Sequence, residues 1–367
     1  MEPLKEMYSK QWVVEFGNIL HSLDQTIEPA QFQKKILNGY WKQYELKERI
    51  NHISDVLLEF WAGSPDFVFP KVLGLIDLLR NKGVKNFNFL YTFLNDIVSK
   101  IGLKHFTISM QALEKTTVFS SAEFAIRFFY LEDFDATVKQ MKKWSKHKEA
   151  FVRRLASEGS RPHLPWGIGI PKIKQNPEIH LEILETLWDD PDEIVRRSVA
   201  NHLNDISKLN PRLTIEFCKT KLGKSAELDK SIKHALRTLL KKGDTEVLSL
   251  FAYDPKWKPD KISFKLQNKE VKVGERIQFV INIKHSDKKE KKVRLEYKIL
   301  YCLANGKNGK KVFQLGEKIL KTNEKLEIQK SHSFAPITTR KYYPGAHEII
   351  FVINGEEVAK QKFVLKM

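Results

Sequence analysis

The feature that most constrains this chain is a repeat. "WSKHKEAFVRRLASEG", Trp144 to Gly159, is echoed by "WDDPDEIVRRSVANHL", Trp188 to Leu203. Each has a tryptophan, a polar turn, and then an apolar residue followed by Val-Arg-Arg, with the triplets beginning at Val152 and Val195. "KSIKHALRTLLKKGD" is a third, weaker echo. A short helical unit cannot bury its apolar face alone, so units recurring at roughly 40 residues stack into a solenoid around a shared core. A generic helical bundle with chance similarity is the competing reading. The shared Trp…Val-Arg-Arg pattern favours HEAT-like repeats.

The neighbouring segments agree. "ELKERINHISDVLLEFW" puts Leu46, Ile50, Ile53, Leu57 and Leu58 on one helical face. "PKVLGLIDLLRNKG" opens on a proline and closes on a glycine, as helices often do. "DDPDEIVRRSVANHLNDISKLNP" has an acidic start, a periodic body and a proline stop. The helical pattern runs to about Leu250.

After "FAYDPKWKPDK" the period falls to two. "RIQFVINIKH", "KVRLEYKILYCL" and "AHEIIFVINGEEVAKQKFVL" alternate and are rich in Val, Ile, Phe and Tyr, while "ANGKNGKK" and "INGEE" read as hairpin turns. About seven short strands in this span fit an immunoglobulin-like sandwich. The fold class expected is therefore mainly α: a HEAT-like repeat solenoid over residues 1–255, then an immunoglobulin-like β-sandwich over residues 261–367. The stretch from Asp254 to Asp260 is the linker.

A length of 367 residues suits two cores. The formal net charge of +18 favours a polyanionic partner, most simply nucleic acid. Cys218 and Cys302 are the only cysteines, and they fall in different predicted domains. With no CxxC pair and no Cys/His cluster, neither a zinc site nor a structural disulfide is expected, which suits a cytoplasmic, reducing setting. "MEPLKEMYSKQWVVEFGNIL" is not a signal peptide, and no apolar run is long enough to span a bilayer.

"RRLASEGSRPHLPWG" holds the site candidates. Arg154 and Glu158 are four apart, hence on one helical face. Gly159 can stop the helix, Arg161 follows, and Pro162 and Pro165 stiffen a loop that ends at Trp166. Asn201 occupies the repeat position of Glu158, and Asp205 lies four residues further along the same face. Stacked units would bring Glu158 and Asp205 to one surface. The plain alternatives are a solvated Arg–Glu pair, a tryptophan packing plug and an exposed aspartate. Arg196, Arg197, His234, Arg237, Lys241 and Lys242 form either a stripe that tracks phosphates or scattered surface charge. Lys288, Lys289, Lys291 and Lys292 read as a solvated hairpin tip. "TTRKYYPGAH", with Arg340, reads as a groove-contacting loop or the corner of the sandwich.

Taken together, "VRRLASEGSRPHLPWG", "VRRSVANHLNDISK", "KHALRTLLKKGD" and "APITTRKYYPGAHEIIFVING" resemble the AlkC-type DNA alkylation-repair glycosylases, relatives of the AlkD type. The resemblance runs from "EPLKEMYSKQ" to the last strand. It implies a HEAT-like solenoid with an immunoglobulin-like domain. It also implies a monofunctional enzyme that hydrolyses the N-glycosidic bond of 3-methyladenine and 3-methylcytosine in bent double-stranded DNA. It implies no metal or other cofactor and work at the bacterial nucleoid; a monomer is expected because the chain already has two sizeable cores, and no membrane partner is expected. Residue by residue, Glu158 matches the catalytic carboxylate and Trp166 the indole near the lesion's sugar. Asp205 and Glu123 match further acids of the cleft, and Arg154 and Arg161 the flanking arginines. Arg197, His234, Arg237, Lys241 and Arg340 are the remaining candidates for contact with DNA. His163 stands where many relatives carry a basic residue, and being mostly neutral at pH 7 it suits a phosphate poorly. A damage-binding protein of this fold without catalysis, or a protein-interaction scaffold, are the alternatives.

Overall fold

The computed structural model describes residues 3–286, 289–337 and 340–367. Lys288 of the lysine tip, and Thr338 and Thr339 of the Arg340 loop, lie outside the described residues. Two compact units form, Met1–Ala235 and Leu236–Met367.

The first unit is helical. It comprises α1 (Lys10–Leu23), α2 (Pro29–Ile36), α3 (Leu46–Phe60), α4 (Pro65–Asn81), α5 (Phe93–Gly102), α6 (Phe106–Phe119) and α7 (Ile126–Glu132). It continues with α8 (Phe134–Trp144), α9 (Ala150–Glu158), α10 (Pro171–Gln175), α11 (Leu181–Leu187), α12 (Glu193–Leu209), α13 (Pro211–Lys219) and α14 (Ala226–Ala235). Helix α3 shows why these segments fold as they do. Glu45 and Glu48 close a reciprocal capping box at its start, and Ile50, Ile53, Val56 and Leu57 are buried on the inner face. One start differs from expectation. Helix α4 opens at Pro65, and Pro70 lies inside it, where its missing N–H omits one intrahelical bond.

The repeat has a physical meaning in the fold. Arg153 donates from one guanidinium nitrogen to the carbonyls of His147 and Lys148, six and five residues back. Arg196 does the same to Asp190 and Pro191, again six and five back. The first arginine of each Val-Arg-Arg triplet therefore ties down the turn that precedes its helix. The second, Arg154 or Arg197, is left for other partners. Helix α12 then packs between α9 and α14, as stacked units require.

The second unit begins with α15 (Arg237–Lys242) and α16 (Thr245–Leu250), although the sequence reading assigns these residues to the solenoid. A close approach within this unit accounts for their placement. Gly243 and Gly355 both have positive φ, and a Cβ on Gly355 would lie 2.6 Å from the Gly243 Cα, so only glycines fit. Among the described residues eight strands follow: β1 (Lys261–Leu266), β2 (Glu270–Lys272), β3 (Arg276–Lys284), β4 (Lys291–Cys302), β5 (Asn308–Leu320), β6 (Lys325–Ser333), β7 (Gly345–Ile353) and β8 (Glu356–Lys366). They form a three-stranded sheet, β1-β3-β6, and a five-stranded sheet, β2-β8-β7-β4-β5. All pairings are antiparallel except β2 with β8. The inward residues of both sheets, among them Phe264, Phe279, Ile281, Tyr297, Ile299 and Phe351, make one core. Lys291 and Lys292, read from sequence as hairpin tip, start β4 instead. There Lys291 lies 3.8 Å from Asp254, and Lys292 lies over the Tyr253 ring.

Candidate active site

Helix α9 is short because the chain after it cannot continue as a helix. Its apolar residues Val152, Leu155 and Ala156 face inward. Beyond Gly159 the prolines at 162 and 165 forbid a further regular turn. Glu158 is the last helical residue. A carboxylate at a helix C-terminus meets the negative end of the macrodipole, so compensating cations are expected around it. They are present. Arg161 donates from one terminal nitrogen to Glu158 Oε1 at 2.5 Å and from Nε to Asp205 Oδ2 at 2.9 Å. Lys208 donates to Asp205 Oδ1 at 2.9 Å. On the other side, Arg154 lies 2.9 Å from Glu123 Oε2 and 3.9 Å from Glu158 Oε2, and donates to the Ser121 hydroxyl.

The result is a ladder of alternating charge: Glu123, Arg154, Glu158, Arg161, Asp205, Lys208. Glu158, Arg161 and Asp205 are buried, and the aspartate is 1% exposed. Desolvation opposes the charge of Arg161, but the fields of Glu158 and Asp205 outweigh it and raise its pKa. Buried ion networks rarely add stability over an apolar core of the same shape. This one is better explained by what it holds in place. Both oxygens of Asp205 are engaged. Among the described residues Glu158 Oε2 accepts no hydrogen bond, with Arg154 3.9 Å away.

Trp166 lies on the loop that follows Glu158 and Arg161 in the chain. It is 55% exposed, and its φ of 62° places a bulky side chain in the left-handed region. Such a conformation costs on the order of 1–2 kcal/mol and persists only when the surroundings impose it. Lys47 of α3 binds its carbonyl at 2.9 Å, and the Phe89 ring lies 6.2 Å from the indole. Phe87, also at positive φ, stacks on Phe151 and lies under the Arg154 guanidinium at 4.9 Å. A tryptophan that merely plugged a gap would be buried. This one is presented to solvent.

The structure unites the candidates Glu123, Arg154, Glu158, Arg161 and Asp205. It alters the reading of Arg161 as a phosphate ligand, because the guanidinium is buried between two carboxylates. His163 is half-buried, and burial lowers its pKa, with the Asp205 charge opposing. Arg197 and His234 line an open groove with Arg196, Glu193, Glu227 and Lys230. His234 is bonded to Asn201 at 3.0 Å. Arg237, Lys241 and Lys242 are on α15 in the other unit, and Arg340 lies between β6 and β7 of that unit, its guanidinium 4.1 Å from the Tyr301 ring centroid.

Besides Lys47, two buried supporting residues escaped the sequence reading. Arg127 of α7 and His202 of α12 are buried and bind the backbone around Glu158. His202 Nδ1 meets the Ser157 carbonyl at 3.0 Å, and burial lowers its pKa to about 3. Their partners lie 32 to 45 residues away, and a buried arginine or histidine within an apolar helix gives no local signal. No described helix is long and apolar enough to cross a membrane. Among the described residues, no group of three or more His, Cys, Asp or Glu side chains is arranged to hold a metal ion.

Comparison with known proteins shows the family. Residues 107–239 match the family described as DNA alkylation repair enzyme, and residues 261–367 match the C-terminal Ig-like domain of the uncharacterised protein YhaZ. The uncharacterized protein YhaZ of Bacillus subtilis (strain 168) is 38% identical over 357 residues, 97% of each chain. The Pseudomonas fluorescens alkylpurine DNA glycosylase AlkC, solved bound to DNA containing an abasic site analog, is 30% identical. It matches with a TM-score of 0.91 over 100% of both chains. Fold and site thus define a HEAT-like-repeat protein of DNA alkylation repair with an immunoglobulin-like domain. Within that class, the chain belongs to the AlkC-type DNA alkylation-repair glycosylase family.

Proposed function

We propose that this chain is a monofunctional DNA glycosylase that hydrolyses the N-glycosidic bond of small cationic alkylated bases, 3-methyladenine and 3-methylcytosine, in double-stranded DNA. The observation that carries the reading is Trp166, exposed in a strained backbone conformation on the short loop that follows Glu158, together with the buried Glu158, whose Oε2 lies 3.9 Å from Arg154. A methylated cationic base leaves without protonation. The charge that develops is positive and sits on the sugar. A carboxylate oxygen beside that sugar stabilises the charge and orients water, and an indole face attracts the same cation. Glu123 and Asp205 support Glu158 through the two arginines. Neither step requires a metal.

DNA contact has its own support. Residues 261–367 contain 24 Lys and Arg against 11 Asp and Glu, so +13 of the chain's +18 belongs to the immunoglobulin-like domain. That excess suits a phosphate-binding lobe, with Arg340 as one contact. Arg154, Arg197, His234, Arg237 and Lys241 are the contacts assigned to the helices. Two lobes gripping one duplex would offset a bending cost of a few kcal/mol. The protein acts as a monomer in this reading.

The test is release of free base from a methylated duplex by wild type and by Glu158→Gln. Release of 3-methyladenine and 3-methylcytosine, reduced at least 100-fold in the variant with duplex binding retained, supports the assignment. No release by folded wild type overturns it and leaves a damage-binding protein.

A further inference from the structure

The loop that presents Trp166 is closed from behind by one side chain. Arg127, 1% exposed on α7, donates from Nε to the Ile168 carbonyl at 2.6 Å and from one terminal nitrogen to the carbonyls of Gly159 and Arg161, both at 2.9 Å. These acceptors bracket the loop. Gly159 and Arg161 lie at its entry, Ile168 at its exit, and His163 and Trp166 between them.

The Gly159, Arg161 and Ile168 carbonyls lie past the last residue of α9, beyond the reach of its intrahelical bonds. A helix commonly closes on a residue in the left-handed conformation, whose N–H groups turn back onto the last carbonyls. Gly159 does not do this. Its φ is −65° and ψ −26°, so the chain leaves α9 still coiled right-handed. The carbonyls beyond the helix then need a donor from elsewhere, and Arg127 supplies it. The dipole adds attraction, since a cation is favoured at a helix C-terminus. The guanidinium is held there although burial depresses its pKa to about 10. Gly167 completes the clamp, because a Cβ there would lie 2.9 Å from Leu164 Cδ2 and 3.1 Å from both Cδ and Nε of Arg127.

We infer that Arg127 is a positioning residue for base release. By gathering three carbonyls of the 159–168 loop onto one guanidinium, it fixes Trp166 relative to Glu158. Arg127 touches neither substrate nor the reacting atoms. The inference rests on the glycosylase reading for its consequence, but the clamp itself is geometric. Three carbonyls converging on a planar fork cannot be replaced by a point charge, so lysine is not equivalent here. Displacement of a reacting group by about 1 Å costs on the order of 100-fold in rate.

The experiment uses the full chain carrying Arg127→Lys and, separately, Gly167→Ala, which crowds the same guanidinium from the loop side. Single-turnover base release, affinity for duplex containing an abasic analogue, thermal midpoint and acrylamide quenching of Trp166 are measured. Quenching is taken as the difference from Trp166→Phe. The expected result is release slowed at least tenfold in both variants, duplex affinity within threefold of wild type, altered Trp166 quenching and a cooperative thermal transition. Release within threefold of wild type in both variants overturns the inference. A rate loss that disappears when the folded fraction is restored at lower temperature also overturns it. If wild type itself releases no base, the glycosylase reading fails instead. Trp166 quenching and abasic-duplex affinity then decide the clamp, and values unchanged in both variants overturn it.

Discussion

Arg161→Met isolates the energetics of the buried ladder. Methionine fills much of the arginine's volume but removes the cation between Glu158 Oε1 and Asp205 Oδ2. Asp205 keeps Lys208, whose side chain is 41% exposed and screened by solvent. Glu158 keeps only Arg154 at 3.9 Å. Removing one partner of a buried pair costs about 3–5 kcal/mol. With Lys208 still in place, the lower end, about 3 kcal/mol, is expected at pH 7.5. For a unit of this size that corresponds to roughly 6–12 °C in thermal midpoint. Urea unfolding followed by helical circular dichroism at pH 7.5 measures the deficit. Adding Asp205→Asn should recover part of the deficit at pH 7.5. A deficit under about 1 kcal/mol, or no recovery on adding Asp205→Asn, would refute the view that Arg161 neutralises both carboxylates.

The remaining predictions are independent of one another. His202 is held neutral, with a pKa of about 3 against 6.5 in the unfolded chain, so its stabilising contribution is complete above pH 6.5 and declines as the pH falls toward 3. The slope approaches about 1.4 kcal/mol per pH unit, and denaturation midpoints should fall less steeply with acid in His202→Asn; identical slopes would count against it. Trp166→Gly relieves the left-handed strain, so the thermal midpoint should rise by the equivalent of about 1 kcal/mol while base release falls at least tenfold. A variant with lower stability and full activity would contradict this. Arg197→Gln should reduce the slope of log affinity for duplex DNA against log salt by about one ion. An unchanged slope removes Arg197 from the DNA contacts.

How much of this was legible depended on the range of the signal. The switch from period 3.6 to period 2 after Trp257 separates helices from strands because both patterns are local. The Val-Arg-Arg repeat placed α9 beside α12, which brought Glu158 and Asp205 together through stacking alone. The site's inner support was not legible. Lys47 reaches the Trp166 carbonyl across 119 residues, and nothing near Lys47 marks it out. Arg127 sits in "FAIRFFYLE", a segment that reads as ordinary core helix. The role of Arg161 followed from which partners were nearest in space, and a sequence offers no distances. The backbone of Trp166 was also hidden, since left-handed conformations announce themselves only when glycine or asparagine occupies them.

The alternating ladder also bears on how such a chain can change over generations. Glu158, Arg161 and Asp205 hold one another's charge in a place water barely reaches. Losing any one strands another, at a cost comparable with a large part of the 5–15 kcal/mol that separates folded from unfolded proteins. Single substitutions at these positions therefore pass through a less stable intermediate even where the lost group has no part in chemistry. Only paired replacements, one acid with its base, cross that valley. Mutational drift should find these three positions locked together, while the exposed lysines of the second unit change freely one at a time.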